Sequence, residues 1–326
     1  MKKKILNILR NSEEEYISGE RISEEVGITR AGIWKHIKNL KELGYEIDSV
    51  SNKGYKLSGS PDIITYEEIE GELRTKYVGR SFIHHDTVDS TNIQCRKECG
   101  KNLVEGLVVV AEEQTSGRGR LGRNWVSPKS TGIWMSVALT PDISPILAPR
   151  TTLIGAAAVY EALKDMGFNP GIKWPNDIVI DGKKVCGILT EMNAEIERVN
   201  YIVMGIGINV NTEEFPEELL EKATSLRKYA GCKVDRKLLV AKILNNIEKF
   251  YEEFKSNGNI ESVIDICRKG SILLSKEVRV INGPNETLCR AIDIDEDGEL
   301  IVEHTDGTVH KVLSGEVSVR GVYGYV

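Results

Sequence analysis

Between residues 117 and 125 the chain reads Gly117-Arg118-Gly119-Arg120-Leu121-Gly122-Arg123-Asn124-Trp125, with three glycines, three arginines and a tryptophan in nine positions. Glycine lets backbone N–H groups approach a ligand closely and tolerates positive φ, and the arginine fork matches pairs of phosphate oxygens. The stretch therefore predicts an anion-binding loop, with a merely solvated basic loop as the plain alternative. It also satisfies G-x-G-x-x-G, which would commit the chain to a dinucleotide-binding βαβ unit if a strand ran straight into the glycines and a helix opened on the third. The surroundings oppose that. Five polar residues separate the strand-like Leu107–Ala111 from the loop, and Pro128 disfavours a helix after Trp125-Val126-Ser127. The next periodic segment, Gly132–Leu139, is strand-like again. The fold must place a cationic loop between two strands.

With 326 residues, 40% of them hydrophobic, the chain has length for two or three domains and apolar material for ordinary cores. A net charge of −6, from 43 basic and 49 acidic side chains, excludes a generally cationic nucleic-acid coat, so DNA binding has to be local. Residues 1–60 hold 11 Lys/Arg against 9 Asp/Glu, and from Thr29 to Lys41 there are four basic residues and no acid. No apolar run reaches the roughly 18 residues of a membrane span. Met1-Lys2-Lys3-Lys4 leads into an amphipathic stretch cut by Arg10, too short for a signal-peptide core, and a cytoplasmic location is expected. The six cysteines, Cys95, Cys99, Cys186, Cys232, Cys267 and Cys289, show no CxxC spacing or nearby His partner, which predicts buried free thiols and no structural metal site.

The overall pattern is α+β in three domains. In residues 1–60, Ile5, Leu6, Ile8 and Leu9 start a helix, and Ile22–Ile28 reads as a short helix ending at a glycine turn. Thr29 then caps a second helix running to Leu43. Ile33, Ile37, Leu40 and Leu43 would face a core, leaving Arg30, Trp34, Lys35 and Lys38 outward. Tyr45–Ser51, the turn Asn52-Lys53-Gly54 and Tyr55-Lys56-Leu57 make a hairpin. Helix, turn, basic helix and hairpin predict a winged helix-turn-helix with its second helix in the major groove and the wing, with Lys53, on phosphates. A small interaction module with a solvated basic face is the alternative.

Ser58-Gly59-Ser60-Pro61-Asp62 reads as a linker. Residues 63–270 alternate strand candidates (Ser81–His85, Leu107–Ala111, Gly132–Leu139, Gly171–Lys173, Asp177–Ile180, Lys184–Glu191, Tyr201–Val210) with helices over Asn92–Glu98, Leu147–Met166 and Asp235–Ser256, predicting one mixed sheet with helices packed on it. In residues 271–326, short alternating segments separated by Asn282-Gly283, Asp297-Gly298 and Asp306-Gly307 predict a small SH3-like β-barrel. Asp293, Asp295, Asp297 and Gly298 imitate the start of a calcium loop. His304 stands where its bidentate Glu is needed, and the flanks are strand-like, so an acidic hairpin turn is expected.

The loop at 117–125 resembles the adenylate-binding loop of biotin protein ligases. Three further segments are similar to that family in the same order: Asp89-Ser90-Thr91-Asn92, then Lys173-Trp174-Pro175-Asn176-Asp177, then Lys184-Val185-Cys186-Gly187-Ile188-Leu189 followed by Gly205-Ile206-Gly207-Ile208-Asn209. With the amino-terminal module, the resemblance covers nearly the whole chain and extends to the bifunctional ligases that also repress the biotin operon. Leu121 and Asn124 depart from it, standing where relatives can carry Arg and Lys.

The resemblance implies a two-step ligase that makes biotinyl-5'-AMP from biotin and ATP, with Mg²⁺ carried by the nucleotide and no protein-caged metal. A lysine of a biotin carboxyl carrier protein domain then takes the biotin. It implies Ser90, Thr91, Asn92, Gln114, Arg118, Gly119, Arg120 and Lys184 at biotin or its acyl phosphate, and Arg120, Arg123, Trp125, Asn176 and Asn209 on the nucleotide side. Lys184, Arg118, Arg120 and Asp177 would carry the chemistry, the last beside the acceptor lysine. Thr29, Arg30, Trp34, Lys35, Lys38 and Lys53 would meet operator DNA as part of a homodimer formed on ligand binding. Two other functions remain open to a chain like this: a biotin-sensing repressor without ligase activity, which would tolerate loss of the cations, and a lipoate or octanoate ligase, which would need a long apolar tunnel.

Overall fold

The computed structural model describes residues 1–12, 15–314 and 317–321. They divide into two compact units, one ending at Ile63 and one starting at Ile64. In the first, α1 (Lys2–Arg10) turns Ile5, Leu6 and Leu9 inward, α2 (Gly19–Val26) adds Ile22 and Val26, and α3 (Arg30–Glu42) adds Ile33, Ile37 and Leu40. Three- and four-residue spacing gives each helix one apolar face, and the three faces close on a single small core. Thr29 Oγ1 accepts the Gly32 N–H and so opens α3. Leu43, expected on the core face, is exposed: α3 ends at Glu42, and the chain turns away at Gly44 with φ 92°. The wing is β1 (Glu46–Val50) paired antiparallel with β2 (Gly54–Gly59). Gly54 has φ 110°, and a Cβ there would lie 1.9 Å from the Ile17 carbonyl oxygen, so glycine is required.

The second unit runs α4 (Tyr66–Ile69), β3 (Phe82–Val88), α5 (Thr91–Lys101), β4 (Val108–Gln114), β5 (Gly132–Leu139), α6 (Arg150–Asp165), β6 (Gly171–Lys173), β7 (Asp177–Ile180), β8 (Lys183–Ala194), β9 (Val199–Asn209), α7 (Leu226–Ala230), α8 (Arg236–Asn257) and α9 (Glu261–Gly270). The strands form a seven-stranded sheet of order β3-β4-β5-β9-β8-β7-β6. Only β3 and β4, joined through α5, are parallel; every other neighbour pair named is antiparallel, giving the expected mixed sheet. Alternation sorts its two faces. Val108, Val110, Ile133, Met135, Ile188 and Ile206 join the core under α6, α8 and α9, while Val109, Ala138 and Val203 meet Cys95 and Cys99 of α5 on the other side. A buried pair at β4 pins the first face: Arg236 Nη1 donates to Glu112 Oε2 at 2.9 Å, and the Ile64 N–H donates to Oε1. Burial pushes the Glu112 carboxyl up, but the bond from His84 and the Arg236 charge outweigh it and hold the group at about 2.

The carboxy-terminal strands β10 (Glu277–Asn282), β11 (Asn285–Ile294), β12 (Leu300–His304), β13 (Val309–Val312) and β14 (Val317–Gly321) form an antiparallel sheet of order β13-β12-β11-β10-β14. Its edge strands β13 and β14 are not paired with each other among the described residues, so the expected barrel is an open sheet here. The calcium look-alike is the β11–β12 hairpin turn: Asp295 Oδ1 accepts the Asp297 and Glu299 N–H groups, and its Oδ2 meets Lys311 Nζ at 2.6 Å. All six cysteines are free, and five are buried; Cys232, in the turn after α7, is exposed against expectation.

Candidate functional site

A cavity of about 700 Å³ opens beside the amino-terminal end of α5. Its floor is made by absent side chains. Gly187 and Gly207 face each other across β8 and β9, with Gly205 one step along opposite Leu189. A Cβ on Gly205 would lie 2.2 Å from Asn92 Oδ1, and one on Gly207 would lie 2.5 Å from Trp125 Nε1. A Cβ on Gly187 would come within 3.0 Å of Lys184 Nζ and 3.1 Å of the Trp125 ring. Where α5 stops covering the sheet, glycines thus let other elements' side chains lie directly on the strands.

One end of the cavity is uncharged and tightly hydrogen-bonded. Gln114 Oε1 accepts the Thr91 N–H at 2.8 Å and the Thr91 hydroxyl at 3.1 Å, while Gln114 Nε2 donates to Ser127 Oγ at 2.9 Å. Ser136 Oγ on β5 lies 2.8 Å from Thr91 Oγ1 and 2.6 Å from Asn92 Oδ1, and Asn92 Nδ2 donates to Glu191 Oε2. Ser90, Thr91 and Asn92 are buried. Such mutual bonding fixes donors and acceptors in place before any ligand arrives.

The other end is cationic. The Gly117–Trp125 loop folds on itself, Gly119 N–H donating to Arg123 O at 2.7 Å and Trp125 N–H to Gly117 O at 2.9 Å. Its tip holds Leu121 at φ 56° and Gly122 at φ 71°. Arg120 bridges from the loop, donating to Asn176 Oδ1 at 2.8 Å and to the Ser314 carbonyl at 3.2 Å; burial lowers its affinity for its proton. Lys184 Nζ lies 2.5 Å from Asp177 Oδ1 and 5.2 Å above the centroid of the Trp125 ring. Trp125 Nε1 is buried and has no hydrogen-bond partner among the described residues. Lys173, at the end of β6, is 4% exposed, and burial together with the charges of Lys184, Arg320 and Arg123 holds its amine at about 8 despite Asp177.

All thirteen ligand-side residues singled out in the sequence line this one cavity: Ser90, Thr91, Asn92, Gln114, Arg118, Gly119, Arg120, Arg123, Trp125, Asn176, Asp177, Lys184 and Asn209. Sequence reasoning missed Ser136, Lys173, Arg279 and Arg320. Lys173 stood in plain view within the Lys-Trp-Pro-Asn-Asp segment, whereas Arg279 and Arg320 reach the cavity from β10 and β14 and had no local signal. In the first unit Thr29, Arg30, Trp34, Lys35, Lys38 and Lys53 are all exposed, with Trp34 60% exposed. No group of three or more His, Cys, Asp or Glu side chains among the described residues could hold a metal ion, and no helix among them is long and apolar enough to cross a membrane.

Residues 86–209 match the Biotin/lipoate A/B protein ligase family, residues 2–56 an HTH domain, and residues 274–320 the Biotin protein ligase C terminal domain. The chain is 39% identical over 324 residues to the bifunctional ligase/repressor BirA of Bacillus subtilis (strain 168), covering 98% of each. It is 30% identical over 318 residues to the protein of that name from Escherichia coli (strain K12), covering 97% of this chain and 96% of that one. Its fold is similar to the solved biotin protein ligase from Aquifex aeolicus in complex with biotin and ATP, at a TM-score of 0.65 and 31% identity over 74% of this chain and 99% of that one. Since the likeness to the B. subtilis protein runs from the helix-turn-helix through the cavity to the last sheet, the chain belongs to the bifunctional biotin ligase/repressor family.

Proposed function

We propose that the cavity carries out both halves of biotin ligation and that the winged unit reports its occupancy to DNA. The observation that carries the reading is the division of one cavity into a prearranged uncharged end and a cationic end. A ureido ring both donates and accepts hydrogen bonds, which suits Ser90, Thr91, Asn92 and Gln114. The biotin carboxylate is already nucleophilic, so its attack on the α-phosphorus of ATP, with pyrophosphate leaving, needs charge neutralisation more than a base. Arg118, Arg120 and Lys184 supply it. Arg123, Trp125, Asn176 and Asn209 hold the nucleotide, whose triphosphate brings Mg²⁺ as part of the substrate. In the second half an acceptor lysine, on a carboxyl carrier domain, attacks the acyl carbon of the mixed anhydride and AMP leaves. Asp177, bonded to Lys184, is the carboxylate we assign to help the acceptor amine lose its proton.

We divide the labour as residues 1–60 for operator DNA, 63–270 for catalysis, and 271–326 for closing the nucleotide end through Arg279 and Arg320. One winged module offers Arg30, Lys35, Lys38 and Lys41, too few phosphate contacts for tight binding, so repression requires a homodimer on paired half-sites. A lipoate or octanoate ligase is disfavoured by the polar Thr91–Gln114–Ser136 cluster, which would strand unpaired groups against an alkyl chain. The deciding experiment is biotin-dependent exchange of pyrophosphate into ATP by the purified chain. Exchange is expected with biotin and not with octanoate; no exchange with biotin overturns the reading.

A further inference from the structure

At the uncharged end of the cavity the amide of Asn92 is placed by sterics but oriented by hydrogen bonds. It lies directly over the glycine floor, where a Cβ on Gly205 would come 2.2 Å from Asn92 Oδ1. Close contact of that kind sets where an amide is and not which way round it sits, because its oxygen and its NH2 group are nearly the same size. Orientation comes from the partners. Asn92 Nδ2 donates to the Leu189 carbonyl at 3.3 Å and to Glu191 Oε2 at 2.8 Å, a carbonyl and a carboxylate that both need a donor. The other carboxylate oxygen of Glu191, Oε1, lies 3.2 Å from Arg96 Nη1. Asn92 and Arg96 stand one turn apart on α5, so the helix delivers both to one carboxylate on β8. Glu191 itself is half-buried and is not among the residues that line the cavity.

The hydroxyl protons of the cluster then have one consistent arrangement. Asn92 Oδ1, turned away from Glu191, carries no hydrogen, so the Ser136 hydroxyl donates to it at 2.6 Å. With that proton used, Ser136 Oγ is left to accept at its 2.8 Å contact with Thr91 Oγ1. Gln114 Oε1 accepts both the Thr91 N–H and the Thr91 hydroxyl, at 2.8 Å and 3.1 Å. The Thr91 proton is therefore spent inside the cluster, and this hydroxyl has only lone pairs to offer a ligand. We propose that Glu191 is a positioning residue: by holding the Asn92 amide one way round, it makes this end of the cavity an acceptor for ligand N–H groups without touching the ligand. That those N–H groups belong to a ureido ring rests on the ligase reading above. Glu191→Gln keeps the shape and changes the partner. Arg96 holds the oxygen of the new amide, so its NH2 group turns toward Asn92 and favours the reversed Asn92 amide. Nδ2 then donates to Ser136, whose own O–H swings to Thr91 Oγ1 and occupies a lone pair that the ligand needs.

The probes are biotin and its ketone isostere, in which methylene groups replace both ureido N–H groups. Each is titrated against the full chain by calorimetry, and the KM for ATP is taken from pyrophosphate exchange. The wild type is expected to bind the ketone about 100-fold more weakly than biotin, because the ketone leaves the acceptors of the site unpaired. Glu191→Gln should bind biotin about tenfold more weakly than the wild type and the ketone about equally, so that discrimination between the two falls about tenfold. Its KM for ATP should be unchanged. Glu191→Ala, which leaves Nδ2 to the Leu189 carbonyl, should lose part of the discrimination in the same direction. Thermal melting of both variants reports whether they fold. Discrimination equal to that of the wild type in either folded variant overturns the proposal, as does an equal loss of affinity for biotin and ketone, which a merely structural role would produce. Equal affinity of the wild type for the two probes overturns it as well. Failure of the wild type to bind biotin at all overturns the ligase reading itself.

Discussion

The two units set the same residue types to work in opposite surroundings. On α3, Arg30, Lys35, Lys38 and Lys41 stand in water, and the Lys38–Glu42 pair, at 4.0 Å, has both side chains more than half exposed. In the cavity, Arg120, Lys173 and Lys184 are buried or half-buried and tied to Asn176 or the Asp177 group. Exposed cations act at a distance and are screened within about 8 Å at physiological salt; enclosed ones act at contact, resist screening and cost desolvation. The first arrangement suits a polyanion whose charge density matters more than any single phosphate. The second suits one phosphate held at one place.

If that contrast is right, the largest single effect belongs to Lys184. Lys184→Ala removes the cation that we assign to the reacting phosphate and takes from Asp177 its 2.5 Å partner. We expect the rate of biotin-dependent pyrophosphate exchange to fall about 10²- to 10³-fold. Added salt should neither rescue the variant nor much impair the wild type, because the site is enclosed. Exchange within a factor of three of wild type would remove Lys184 from the chemistry.

Stability offers the next test, because enclosure has a cost that exposure does not. Below about pH 8 Lys173 is charged in both the folded and the unfolded chain, and folding bears the full penalty of burying that charge. Between about pH 8 and the unfolded value near 10.4, the unfolded chain binds more protons, so the contribution of Lys173 to stability improves as pH rises. Lys173→Met should therefore be more stable than wild type at pH 7, by an amount on the order of 1–3 kcal/mol. The advantage should shrink through pH 8–10. Denaturant melts of both proteins at pH 7 and pH 10 measure it, and a less stable Met variant at pH 7 would mean that Asp177 outweighs the burial.

The same division between local and assembled features decides what the sequence revealed. Gly132–Leu139, Gly171–Lys173 and Asp177–Ile180 were legible to the residue, because alternation and flanking turn residues are local signals. So was the start of α3, where Thr29 offers a hydroxyl cap. Helix α9 was not: Ile260 precedes it with no side-chain cap, and Val263, Ile264 and Cys267 alone are too sparse a stripe to announce it. The cavity's loop and strand motifs could be read from a family pattern, but its closure could not. Arg279 and Arg320 arrive from a different sheet, and the low proton affinity of Lys173 comes first from its burial in the folded chain and then from the charges of Lys184, Arg320 and Arg123 on three other elements, none of which is a local signal. Leu43 shows the converse, a periodic position that a helix ending one residue early left outside the core.

The glycine floor separates the two ends of the cavity and predicts a pair of smaller, opposite effects. Gly205→Ala drives a methyl into Asn92 Oδ1, and Gly207→Ala drives one into the Trp125 indole. The first should raise the KM for biotin about tenfold with little change for ATP, and the second should raise the KM for ATP with little change for biotin, each by about 1–2 kcal/mol of displaced packing. Equal changes for both substrates in both variants would mean that the floor is one rigid surface and the two ends are not separate.

The smallest effect tests the exposed half of the comparison most directly. Lys35 lies open on α3, one position after Trp34 and on the outward side of the helix whose inward side is Ile33, Ile37 and Leu40. If it neutralises one phosphate by counterion release, Lys35→Ala should weaken operator binding several-fold at 50 mM salt and progressively less as salt rises. The slope of log affinity against log salt should become less negative by about 0.9 for each phosphate that is no longer neutralised, hence by nearly 2 when two copies occupy a site. Affinity for unrelated duplex should fall in parallel, since a phosphate carries no sequence information. A loss of affinity that is the same at every salt concentration, or one confined to the operator, would instead make Lys35 a base-reading residue held at contact. The cations of α3 would then work in the same way as those of the cavity.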